Sequence, residues 1–144
     1  MARYTVGARA SGAGSATLPI GSLYAAAAVG GKVREVGVFN TTTTALVVGL
    51  CTLTSAGTQG SGLTEAKYDP STATPSCSGF NTHTVAPTLA DLGYRADLGA
   101  AVGAGIIWTF GDTGLVIPVG TGNGVGIYVP TGTGQICDFY IVWY

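Results

Sequence analysis

The sequence predicts an all-β protein: a jelly-roll-like antiparallel β-sandwich in a single domain, with residues 17–144 as the sandwich and residues 1–16 as a flexible N-terminal arm. Three observations predict it. Apolar residues recur at alternate positions in short runs, as in strands that bury one face. Clusters of Gly, Pro, Thr and Asn separate these runs at roughly 8–12-residue spacing, the punctuation of a sandwich or barrel. No segment sustains a long helical period: the four alanines 25–28 favour helix locally, but Gly30 and Gly31 end it within two turns. An immunoglobulin-like sandwich is the second architecture that fits.

Residues 1–16 are Gly, Ala and Ser with two arginines, and read as an arm with a short edge strand at 4–8. Free of a neighbour, such an arm is mobile. Residues 32–40 (KVREVGVFN) set Val36 and Val38 on one face of a strand, and 41–44 can turn the chain. Residues 45–54 (ALVVGLCTLT) are apolar on both faces at first, as in a central strand covered on both sides. Residues 55–79 read as a long loop with one helical turn near 63–67, and loops of that length usually bind something or pack on a partner.

Residues 80–89 read as a Thr-rich strand ended or bulged by Pro87. In 93–99, Tyr94, Ala96 and Leu98 point inward while Arg95 and Asp97 point outward. Residues 105–110 place Ile106, Trp108 and Phe110 on one side, and Gly111–Asp112–Thr113–Gly114 reads as a tight turn into 115–119. A Gly-rich turn at 120–124 leads to Val125, Ile127 and Val129 on one face. Residues 130–134 turn the chain into a last strand, 135–144 (QICDFYIVWY), apolar on both faces and so tied deep into a sheet.

Composition narrows the function. Hydrophobic residues make up 47% of the 144 and charged residues only 9%, against about 25% charged in an ordinary domain. Such a chain has the hydrophobicity to fold. Six Lys and Arg against seven Asp and Glu give no basic field for nucleic acid. A surface this poor in charge resists association badly, which favours burial in an assembly.

No apolar run reaches the length of a transmembrane helix. Arg3 and Arg9 before residues 18–29 imitate a secretory leader, but Pro19 and Gly21 break the run. Cys51, Cys77 and Cys137 have neither disulfide-framework nor zinc spacing. Buried free thiols are the simpler reading, with a Cys77–Cys137 bridge as the alternative.

Candidate chemistry is sparse. Gly120, Gly122, Gly124 and Gly126 lack the following helix and lysine of a phosphate loop, so they read as hairpin glycines. His83 is the one histidine and reads as structural or exposed, with no nucleophile elbow to support a triad. The carboxylates have no metal spacing. Arg95 and Asp97 could pair with each other or with another chain. Asp138, flanked by apolar residues, would need a partner if buried, and an intersubunit ion pair is one possibility. Asn40–Thr41–Thr42 matches a glycosylation sequon by chance. Trp108 and Trp143 read as core or interface residues. No residue is put forward as catalytic, metal-binding or cofactor-binding, binding residues stay unassigned, and no enzyme is expected.

The segment GLTEAKYD, with FNTHTVAPTLADLGYRADLGAAVGAGIIWTFGDTGLVIPVGTGNGVGIYVPTGTGQ after it, resembles the small capsid decoration (cement) proteins of tailed bacteriophages. The likeness spans roughly residues 33–144. It implies a virion structural protein on the capsid exterior, assembled in the host cytoplasm. Such a protein binds the major capsid protein lattice, often as a homotrimer, without nucleic acid, membrane or cofactor. A phage tail or baseplate protein, and a secreted β-sandwich binding module for carbohydrate, are the alternatives.

Overall fold

A computed structural model describes residues 2–144, and among them the chain forms eleven strands and no helix. In chain order these are β1 (Tyr4–Arg9), β2 (Gly21–Tyr24), β3 (Gly31–Asn40), β4 (Leu46–Leu53), β5 (Ala66–Lys67) and β6 (Ser78–Phe80). They continue with β7 (Leu89–Leu98), β8 (Gly105–Thr109), β9 (Leu115–Ile117), β10 (Gly124–Tyr128) and β11 (Cys137–Trp143). Two antiparallel sheets pack face to face. Sheet A has the order β5-β1-β11-β3-β8, with β9 also on β3, and sheet B the order β6-β2-β10-β4-β7.

The winding follows one rule. Each strand of the first half pairs with its counterpart in the second: β1 with β11, β2 with β10, β3 with β8 and β9, β4 with β7. The chain is thus one long hairpin, closed between β4 and β7 and rolled so that successive pairs fall in alternate sheets. Further pairing of β11 with β3 and β10 with β4 completes each sheet. This is the all-β antiparallel sandwich expected.

The core lies between the sheets. From sheet A it takes Val36, Val38, Phe139, Ile141 and Trp143, and from sheet B Leu23, Val48, Leu50, Val125 and Ile127, each at most 3% exposed. The alternation in β3, β10 and β11 that predicted these strands is the alternation that fills the core.

Several expectations need correction. Residues 4–9 of the expected arm are β1, which lies between β5 and β11 with Tyr4 and Val6 buried. The neighbour that orders it is the chain's own last strand. Residues 63–67 hold no helical turn: β5 pairs with β1, and β6 pairs with β2. The long loop therefore closes the sandwich along one side. Residues 81–88, read as part of a strand, run as a loop with one isolated bridge, Thr58 to Val85, because β2 has already taken Phe80 and the chain must cross the sheet to reach β7.

The tetrad 111–114 makes no hairpin. Both β8 and β9 run antiparallel to β3, so they are two parts of one edge strand, with 110–114 looping out of line. The Phe110 amide still bonds the Arg34 carbonyl (3.0 Å), and the Arg34 guanidinium donates to the Asp112 carbonyl (3.0 Å).

Candidate interaction surfaces

The outward face of sheet B is covered by its own chain over β2, β10 and most of β4, and left bare on β7. Tyr24, Cys51, Leu53 and Tyr128 point away from the main core and form a second one, with Ala56, Phe80 and Leu89 packed against it. The loops after β4 and after β6 form the lid. The Tyr24 hydroxyl donates to the Ser55 carbonyl (3.0 Å), the Thr82 hydroxyl to the Ile20 carbonyl (2.9 Å), and the His83 amide to the Pro19 carbonyl (3.0 Å).

His83 sits under this lid, 2% exposed, with Nε2 2.9 Å from the Ser22 hydroxyl. Its Nδ1 has no partner in hydrogen-bonding geometry. Burial holds its pKa below the ordinary value, opposed by the nearby Val85 backbone. It is a structural histidine, one of the two readings its sequence context allowed.

The outward face of sheet A has no such lid over two adjacent rows that cross four strands; in a third row, Thr5, Val142, Glu35 and Thr109, Val142 is buried. One row is Arg9, Asp138, Phe39, Gly105; the next is Gly7, Tyr140, Gly37, Ile107. Each ring has a glycine beside it on the neighbouring strand. A Cβ on Gly37 would lie 2.2 Å from the Tyr140 ring, and one on Gly105 would lie 2.2 Å from the Phe39 ring. Glycine there lets both rings lie flat on the sheet, 6.4 Å apart and 21° from parallel. The Tyr140 hydroxyl donates to Glu35 (2.6 Å), which pins the ring. Burial first, then that carboxylate, push the Tyr140 pKa up.

Asp138 belongs to this surface. It pairs with Arg9 of the same chain at 2.8 Å, both side chains well exposed, so it needs no intersubunit partner. The Arg9 hydrogen bond holds its carboxyl below the usual range. Beside the rows, a hollow of about 250 Å³ is lined by Arg3, Arg34, Glu35, Tyr68 and Thr109. Arg3 lies over the Tyr68 ring and Arg34 over the Tyr144 ring, at 5.5 and 5.1 Å.

The side of the sandwich where β7 and β8 end their sheets is open. Tyr94 meets the Phe110 ring edge-on at 5.1 Å and the Trp108 ring at 6.3 Å, and remains 37% exposed. The expected inward position of Tyr94 is therefore reached only in part, because β7 bulges there. Between the Gly49–Arg95 and Cys51–Asp91 pairs, three residues of β7 face Leu50 alone, and Gly93 takes φ +85°.

One end of the sandwich is uncharged, and the other is so only in part, since Arg3, Lys67 and Asp69 lie there. At one end the loops 10–20, 41–45, 99–104 and 129–136 contain no Asp, Glu, Lys or Arg; at the other, neither do 25–30 and 118–123. The first set is laced together by Thr41 to the Ile136 carbonyl (2.6 Å) and Asn40 to the Gly99 carbonyl (3.0 Å). Asn40 is 1% exposed and fully engaged, so the sequon it begins is closed to a glycan.

The other candidates are structural. All three cysteines are buried free thiols, so there is no Cys77–Cys137 bridge. Burial pushes Cys77 and Cys137 up to about 11 and Cys51 up to about 12, so they stay protonated. Trp143 is core and Trp108 half-buried at the open side. Among the described residues no group of three His, Cys, Asp or Glu could hold a metal ion, and no helix is long and apolar enough to cross a membrane. Sequence reasoning missed the flat face. The signal for it was glycine at Gly7, Gly37 and Gly105, in strands that otherwise favour branched side chains. No protein-family model, curated protein or solved structure matches the chain.

Proposed function

We propose that this chain is a virion structural protein that decorates and stabilises the outside of a bacteriophage capsid by binding the lattice of the major capsid protein. The resemblance implies a homotrimer as the working unit. The observation that carries the reading is the bare face of sheet A, where Phe39 and Tyr140 lie flat over glycines beside an exposed Ile107. Flat apolar surface with its hydroxyl already bonded can be covered at little desolvation cost. The uncharged end loops suit the same purpose. Many copies on a repeating lattice hold through multivalency, so each contact can be weak.

The test is gradient sedimentation of the native protein from its source, with mass spectrometry across the gradient. Recovery in many copies with a large particle supports shell decoration. Recovery in a few copies per particle moves the protein to a tail, baseplate or vertex. Sedimentation alone, as a monomer or small oligomer, overturns the reading and favours a binding module, for which carbohydrate screening is the next experiment. On particles, Tyr140→Arg is expected to release the protein at least about tenfold more readily by burying a charge in the contact.

A further inference from the structure

The free edge of β7 carries a charge pattern that selects one partner. β7 ends its sheet, and past the bulge its residues 95–98 form a flat stretch with no strand on their outer side. Arg95 and Asp97 share the outward face of that stretch, both exposed. Among the described residues neither has an ion-pair partner. Asp91, across the bulge, accepts from the Gly93 amide at 3.1 Å and attracts Arg95 without reaching ion-pair distance. In a chain with only 9% charged residues, two unpaired opposite charges two positions apart on an edge strand are an unusual placement.

We infer that β7 pairs antiparallel with β7 of a second copy about a twofold axis through Ala96, joining the two B sheets into one. In that register Arg95 faces Asp97 of the second copy and Asp97 faces its Arg95. A shift of two residues, the smallest that keeps the faces matched, sets Arg95 against Arg95 or Asp97 against Asp97. Like charges directly opposite are destabilising and opposite charges stabilising, so the same two residues favour one register and reject its neighbours. Edge strands usually carry charge to prevent pairing; here the charge permits a single pairing. Tyr94 of each copy comes opposite Leu98 of the other, so the contact also extends over the open side at Tyr94, Trp108 and Phe110.

This twofold contact is distinct from the threefold contact that a homotrimer would use, and the purified chain alone tests it without the shell reading. Sedimentation equilibrium of the full chain is expected to show association that Arg95→Asp or Asp97→Arg each weakens about tenfold or more. The combined R95D/D97R variant is expected to restore it, which a merely structural role for either residue would not produce. Opposed Cα atoms in an antiparallel pair are about 4.5–5.5 Å apart, within disulfide range. Mild oxidation should therefore link Ala96→Cys into dimers and leave Thr109→Cys, on β8, unlinked. Near-UV circular dichroism checks that each variant is folded. A chain monomeric at all concentrations, a double variant that stays dissociated, or an A96C variant that does not link would each overturn the pairing.

Discussion

The two outward faces of this sandwich have the same strand chemistry available to them and end in opposite states. Sheet B turns Tyr24, Cys51, Leu53 and Tyr128 outward and covers them with its own loops, making a second core. Sheet A turns Phe39, Tyr140 and Ile107 outward and leaves them uncovered, flattened where glycines make room. The first face is consumed by folding. The second contributes little to folding and is left available, so the contrast divides the surface into a part that holds the protein together and a part that can hold something else.

The largest expected effect would break the contrast if it failed. Deleting residues 2–14 removes β1, its ladder to β11 and the buried Tyr4 and Val6. The chain should lose its cooperative thermal transition; a normal melt would mean that sheet A does not need the strand at its side. Next, Leu53→Ala in the second core should cost about 2–5 kcal/mol in a denaturant titration, as core truncations do. A loss well below that range would show the lid to be loosely packed.

The lid also contains the pH response. Burial disfavours the charged form of His83 in the native state, so as pH falls below its ordinary pKa of 6.5 the unfolded chain takes up the proton more readily than the folded chain. Its contribution is fully present above that value and is lost as pH falls from there through the lower native pKa. Melting temperature should therefore drop as pH falls from neutral to below 6.5, and the drop should be absent in His83→Gln if that protein folds. A slope unchanged by the substitution would place the proton uptake elsewhere.

The smallest effect sharpens the contrast from the other side. Phe39→Ser removes a half-buried ring whose loss opens no cavity, and should change stability by less than about 1 kcal/mol while weakening attachment to particles. A loss comparable to Leu53→Ala would mean that the bare face is a core after all.

Much of the fold was legible in the residues. β3, β4, β10 and β11 showed themselves through alternation or two-faced apolarity, and the reading of 45–54 as covered on both sides matches a strand with the main core beneath it and the lid above. What escaped were features that depend on distant partners. Nothing in GSLY at 21–24 marks a strand until β10 and β6 flank it. The tetrad 111–114 has turn chemistry, and it does bend the chain, but only β3 decides that the chain resumes its direction. The apolar neighbours of Asp138 left open that it is buried, and alternation decides it: Asp138 lies on the opposite face from Cys137 and Phe139, beside Arg9.

The pairing of Tyr4 with Trp143 has a consequence for biosynthesis. β11 leaves the ribosome last among the strands, yet it stands between β1 and β3. While β10 and β4 can already meet, sheet A lacks its middle strand until translation has passed Trp143. Until β11 is made, β1 can pair only with the two residues of β5, at Tyr4 and Thr5, so most of its ladder and the buried side of Val6 wait for the strand that follows β10. Closure of the outermost pair, spanning most of the chain, is the step to which the loop-closure entropy of a high-contact-order fold attaches, and a chaperone that shields β1 would act in that interval.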